Sequence, residues 1–180
     1  MALISLIMLS LHRVLHSATR YYTKMTRTTD LQQSCILATS RLVTELLESN
    51  ANSIRGDQTN HRFVSFGSPR NDAGEVGFDP TTTELEWHRY VGYYIENDQE
   101  EPVFYRKDRP LGTVAITPPN IPESYTDAFW ASESVQGRVI ARQVYYVDVV
   151  STTSVSVIIG VRSRDQDFVV TIKTALKARN

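Results

Sequence analysis

Two histidines four residues apart, His12 and His16, stand in a stretch that holds neither glycine nor proline. On a helix this spacing puts both imidazoles on one face, a geometry that suits a divalent metal. A hydrolytic zinc helix also needs a glutamate between the histidines and a third ligand, but the intervening residues are Arg13, Val14 and Leu15. The pair therefore reads as polar helix surface. Asp72, Glu75 and Asp79, beside Gly74 and Gly77, are the other cation-binding possibility, in a region (70 to 109) with ten acids against five basic residues. Calcium takes several oxygen ligands, and the spacing here matches no EF-hand, so a solvated loop is expected. His61 and His88 are isolated. Cys35 is the only cysteine, which rules out an intrachain disulfide and a thiol pair, and it reads as a small buried residue on a helix. With no GxSxG elbow, P-loop, HExxH or GxGxxG, neither catalytic residues nor a cofactor or metal is predicted.

Arg20, Tyr21, Tyr22, Lys24 and Arg27 interleave aromatic and basic side chains, a pattern that can grip nucleic acid. A net charge of -1 gives no global pull toward polyanions, and packing inside an assembly is the expected use of this stretch. Trp87, Tyr93, Tyr94, Tyr145 and Tyr146 read as sheet core and rim rather than a ligand platform.

The element that must carry the first of these groups is one long N-terminal helix, because residues 1 to 55 contain no helix breaker. It opens on MALISLIMLSL, eleven uncharged and mostly apolar residues. As helix they reach roughly 16 Å, about half the hydrocarbon thickness of a bilayer. No basic residue precedes this run and no cleavage region follows it, so it is not a secretory signal. Between Leu11 and Asp30 the charges are all positive: Arg13, Arg20, Lys24 and Arg27. By itself this flank favours a cytoplasmic C-terminal side, an orientation that a basic leader would reverse. From residue 31 the apolar positions Leu31, Cys35, Ala38, Leu42 and Leu46 form one helical face, widened by Val43 and Leu47. The polar run ESNANSIRGDQTN closes the helix, with Asn50, Asn52 and Gly56 as stop signals.

Strand patterns follow. HRFVSF is rich in β-formers, and ELEWHRYVGYYIE alternates so that Leu85, Trp87, Arg89, Val91, Tyr93 and Ile95 share a face. EPVFYRK lies within hairpin reach across the polar turn NDQE. The proline-rich region 108 to 138 reads as an ordered loop with at most short elements. RVIARQVYYVDVV, SVSVIIGVRS and DFVVTIKTALKA then suggest an antiparallel meander, separated by STT and RDQD. In the last segment Phe168, Val170, Ile172, Thr174 and Leu176 alternate with Val169, Thr171, Lys173, Ala175 and Lys177. The sheet must cover its apolar face, and 31 to 47 is the one helical stretch evident for that. The expected fold is α+β, with a helix over 1 to 50 (apolar tip 1 to 11, amphipathic part 31 to 47) and a β-rich head over 51 to 180.

A long N-terminal helix, greasy first and amphipathic later, laid on an antiparallel sheet resembles the type IV pilins and type II secretion pseudopilins. TTDLQQSCILATSRLVTELLESN resembles their helix before the head, VSFGSPRNDAGEVGFDPTTTELEWHRYVGYYIE their segment leading to a tryptophan strand, and FYRKDRPL the tyrosine-arginine strand after it. The ending KTALKARN is similar to their arginine-asparagine terminus. The detail looks like a minor pilin of the PilW-like or J-type pseudopilin kind. The resemblance implies a non-catalytic filament subunit whose helix sits in the bacterial inner membrane before assembly, with an extracytoplasmic head. Its implied partners are other pilin or pseudopilin subunits and the inner-membrane assembly platform, not nucleic acid. Ala2, Leu3, Ile4, Leu6, Ile7, Met8, Leu9 and Leu11 would make the membrane and filament contact, and Leu31, Cys35, Ala38, Leu42 and Leu46 the helix-to-sheet packing. The family's basic leader, cleavage-site glycine and glutamate at the fifth helical residue are not in the sequence. The expectation is that Met1 is an internal methionine and that about eight to ten apolar residues of the span lie upstream. The alternative expectation is a soluble or peripheral α+β binding module with an amphipathic N-terminal anchor.

Overall fold

The computed structural model describes residues 2–98, 101–132, 134, 137–151, 154–163 and 169–176. Helix α1 (Ala2–Glu48) is continuous over 47 residues, roughly 70 Å of rise. Its middle is rich in threonine, a residue that favours other conformations, yet Thr19, Thr23, Thr26, Thr28 and Thr29 each donate a hydroxyl bond to the carbonyl four residues back. That satisfies the hydroxyls inside the helix and lets the run continue. The helix stops at Glu48, just before the expected stop signals. Asn50 then caps a single turn of 3₁₀ helix (Ala51–Ser53), its side chain accepting from the Asn52 N–H at 2.9 Å.

Two antiparallel sheets follow. The first has five strands in sequential order: β1 (Ile54–Gly56), β2 (Phe63–Ser68), β3 (Trp87–Asp98), β4 (Glu101–Ala115) and β5 (Arg138–Arg142). The second is β6 (Val144–Ser151), β7 (Val155–Arg162) and β8 (Val169–Leu176). The chain is therefore α+β as expected, but RVIARQVYYVDVV is two strands in different sheets rather than the first arm of one meander. Gln143 divides them, with a left-handed φ of 63° that lets the chain turn from one sheet into the other. The sheets meet closely where β1 passes β6: a Cβ at Gly56 would lie 2.6 Å from the Val149 carbonyl oxygen. Only glycine fits there.

One core joins the three layers. Leu31, Cys35, Ala38, Leu42 and Leu46 are all buried and pack with Val64, Phe66, Val91, Tyr93 and Phe104 of the first sheet and Val147, Val157 and Ile159 of the second. The helix-to-sheet residues expected from the 3.6-residue period are thus those that pack. In β8, Val170, Ile172 and Thr174 are half-buried while Val169, Thr171, Lys173 and Ala175 are exposed, as alternation requires. Phe168, the ending from Lys177 onward, and parts of the NDQE, STT and RDQD turns lie outside the described residues.

In the region 108 to 138 a strand extends further than the expected loop with at most short elements, while the helix described there is short. Strand β4 continues through Pro110 to Ala115, and α2 (Asp127–Ser132) follows. This second helix covers the other face of the first sheet, where Phe63, Tyr94, Tyr125 and Trp130 form a smaller core. Because both of its faces are covered, β2 is buried at every position, as a two-sided strand must be. Leu85 precedes β3, and a register irregularity between Trp87 and Arg89 separates Trp87 from the Val91, Tyr93 and Ile95 face. Its ring stands beside Gly67 instead, together with Pro119.

Candidate functional site

Among the described residues, the densest run of exposed apolar side chains is the first half of α1. Among the described residues Leu31 is the first that is buried, and from Ile7 to Arg27 every position is exposed. Ile4, Ile7, Met8, Leu9, Leu11, Val14, Leu15, Tyr21, Tyr22 and Met25 all retain more than half of their possible exposure. Large apolar side chains gathered so densely on a surface mark a contact with something else. Of the expected contact residues, Ile4, Ile7, Met8, Leu9 and Leu11 are among these. The side chains of Ala2, Leu3 and Leu6 lie outside the described residues.

The apolar positions on this stalk are ordered. Ile4, Ile7, Leu11, Val14, Ala18, Tyr21 and Met25 recur at alternating spacings of three and four, the a/d seam of a heptad helix. Leu9, Leu15 and Tyr22 blur this pattern in the sequence; the unbroken helix makes the seam plain. At about 100° per residue it lies roughly 110° round the helix from the face that carries Leu31 to Leu46. Ile36 and Leu47, exposed on the docked half, extend the same outward face. No helix among the described residues is long and apolar enough to cross a membrane.

The far end of α1 is held by charge as well as by packing, an arrangement that spacing alone could not have revealed. Glu45 accepts from Arg106 Nε at 2.9 Å, Arg106 Nη1 reaches Asp108 at 3.2 Å, and Asp108 also pairs with Arg89. Arg89 continues to Asp72 at 3.0 Å. One turn further along the helix, Glu48 pairs with Arg70, which also donates to the Gly74 carbonyl. Burial opposes the Arg106 charge, but Glu45 and Asp108 outweigh it and hold the guanidinium above its ordinary pKa. Tyr93 lies beneath this ladder, and burial together with Glu45 pushes its phenol far above the usual range.

The other chemistry-bearing residues are dispersed. His12 and His16 stand edge to face on the exposed stalk with ring centroids 6.4 Å apart. Asp72 is engaged by Arg89, whereas Asp79 folds over its own turn, accepting from the N–H groups of Thr81 at 2.6 Å and Thr82 at 3.1 Å. Those two bonds hold the Asp79 carboxyl below the usual carboxylate range. Glu75 is exposed, so the three acids do not converge; among the described residues no three of His, Cys, Asp and Glu gather as a metal site. His61 faces Asp148 at 3.4 Å and His88 faces Glu86 at 3.6 Å. Cys35 is fully buried and its thiol donates to the Ile159 carbonyl at 3.5 Å. Tyr93 and Tyr94 are core, Tyr145 stacks under Arg162 and Tyr146 beside His61.

Compared with protein-family descriptions, curated proteins and solved structures, the chain matches none.

Proposed function

We propose that this chain is a non-catalytic structural subunit of a type II secretion or type IV pilus-like filament, of the minor pilin or pseudopilin kind. The observation that carries the reading is the division of one unbroken helix. Its second half is sewn to the head by Leu31 to Leu46 and the Glu45–Arg106 ladder, and its first half presents an apolar seam to the outside. A helix that exchanges lipid contact for contact with neighbouring helices needs such a seam, with small and large apolar residues that can interdigitate. In this reading the apolar tip is held in the bacterial inner membrane before assembly, the head stays outside it, and the partners are other subunits of the same class.

A second reading has its own support. The seam lies roughly 140° round the helix from Arg13, Arg20, Lys24 and Arg27, a division of apolar and basic faces that suits a helix lying in a membrane interface as a peripheral anchor. Expression from the whole genomic reading frame, followed by membrane fractionation and a carbonate wash, separates the two. Retention through the wash supports the filament subunit, release by it supports the anchor, and recovery wholly in the soluble fraction sinks both.

A further inference from the structure

The second sheet ends on an open edge. Strand β8 pairs with β7 along its whole length, from Val169 opposite Arg162 to Leu176 opposite Val155, without a register break. It is the last strand of that sheet, and among the described residues no strand pairs with its other side. The N–H and C=O groups of its alternate residues therefore point away from β7 without a strand to meet them. The other sheet ends are blunted. Strand β1 is three residues long and abuts the Val149 carbonyl at Gly56, and β5 is five residues long with an irregular register against β4. Strand β6 lies against the first sheet, where the Val147 N–H donates to the His61 carbonyl at 2.8 Å. A long, regular edge left uncovered is a template for a further strand. Beside this edge, a groove of about 410 Å³ runs between β8 and α1, lined by Ile36, Val43 and Ile172 with the hydroxyls of Thr39, Ser40 and Thr174. Ile36 there is 57% exposed. On the opposite face of β8, Thr171, Lys173 and Ala175 are exposed, and Lys173 is the single charge of the strand.

We propose that the β8 edge and this groove receive an extended segment of a different protein, added to the second sheet as a further strand, in which apolar residues alternate with polar ones and an acid stands opposite Lys173. Each part of that description comes from the surface. The edge offers backbone donors and acceptors in series, which an extended chain pairs one after another. Side chains alternate along a strand, so every second residue of the guest points into the groove, where Ile36, Val43 and Ile172 favour a β-branched apolar side chain. The residues between them stand beside Thr171, Lys173 and Ala175, where a carboxylate opposite the lysine is favoured and a like charge is not. A second copy would bring its own Lys173 to the pairing, so the better guest is another chain. The inference goes beyond the filament reading and does not depend on it, because β8 and the groove belong to the head and the docked half of α1.

The test uses the full chain and a fluorescent peptide as long as β8 that alternates valine with threonine, with one central threonine replaced by glutamate. Fluorescence anisotropy is expected to give a Kd of about 0.1 mM or tighter, and bound peptide to slow amide hydrogen exchange in the β8 fragment. Two further peptides, N-methylated on one or the other alternate set of amides, read the backbone pairing directly. One should bind like the parent and the other at least about tenfold more weakly, since only one set faces β8. Lys173→Glu should weaken the glutamate peptide by about fivefold and favour a version with lysine in its place, whereas Ile36→Ser should weaken both peptides. Both substituted side chains are exposed, and far-ultraviolet dichroism checks that each variant stays folded. No binding by the parent peptide, equal binding of the two N-methylated forms, protection that falls outside β8, or indifference to both substitutions would each overturn the docking. So would β8 protection that needs no peptide and grows with protein concentration, because the edge would then serve a second copy. A failed docking leaves the filament reading as it stood. A chain recovered wholly in the soluble fraction that still takes up the peptide sinks the filament reading and keeps the docking.

Discussion

At the level of single residues, the strongest constraint is Gly92. It faces the smaller core, where a Cβ would overlap the ring-fusion carbons and the indole nitrogen of Trp130. That nitrogen donates to Ser65 Oγ at 2.7 Å on the neighbouring strand, so the ring has no slack in which to retreat. Gly92→Ala should lower the unfolding free energy by about 1–3 kcal/mol, the usual cost of overpacking, read as a shift in urea midpoint with tryptophan emission as the probe. An unchanged midpoint would mean that Trp130 is not wedged there. Cys35 offers a test of the helix's buried face. Burial pushes its thiol above the ordinary range, against smaller opposing contributions from hydrogen bonds. The folded chain therefore binds this proton more tightly than the unfolded one, and its contribution to stability is lost as pH rises past the unfolded thiol's range. Labelling of Cys35 by iodoacetamide at pH 8 to 9 should be slow until denaturant opens the fold; labelling at the rate of a free thiol would place Cys35 on the surface. Cys35 was legible from sequence because its helical period is local. Gly92 was not, since the ring that requires it comes from a helix 38 residues away in the chain.

For whole elements, the same division holds. The β3–β4 pairing was readable from two alternating runs either side of a polar turn, and the docked half of α1 from its apolar stripe. The break between β5 and β6 was not, because glutamine carries no turn signal and Gln143 takes its left-handed φ to serve tertiary packing. Strand β4 likewise runs through Pro110, where the proline content argued for loop; Pro110 pairs with Arg89 just at the strand irregularity that tolerates it. The ionic ladder under α1 also escaped sequence reading, since its members are scattered between residues 45 and 108. It should matter to how the helix sits. Arg106→Met leaves Glu45 and Asp108 part-buried without their cation, at a cost of about 1–3 kcal/mol, less than for a fully buried pair because Arg106 and Glu45 keep 20% and 21% of their side-chain surface in water. Combining Arg106→Met with Glu45→Gln should recover part of that loss, as coupled partners do in a double-mutant cycle. Strictly additive denaturation energies would show that the two side chains do not work together.

For the molecule as a whole, the decisive property is that folding and projection are assigned to different halves of one helix. Among the described residues the helix's core contacts begin at Leu31, and none of the described side chains of the first 27 residues is buried. Removing residues 2 to 27 should therefore leave the head folded, with a urea midpoint close to that of the intact chain and the same slope per residue retained, because the slope follows the surface exposed on unfolding. The remaining helix from Thr28 to Glu48 is stabilised by tertiary packing rather than by its own propensity, which is what a segment of this length needs in water. The same deletion removes the apolar seam, so self-association and membrane retention should both be lost. A truncated chain that unfolds early would mean that the stalk supports the head and that its exposure is not available for partners. A truncated chain that folds and still associates would move the interface onto the head, where the outward face at Ile36 and Leu47 is the next apolar surface in line.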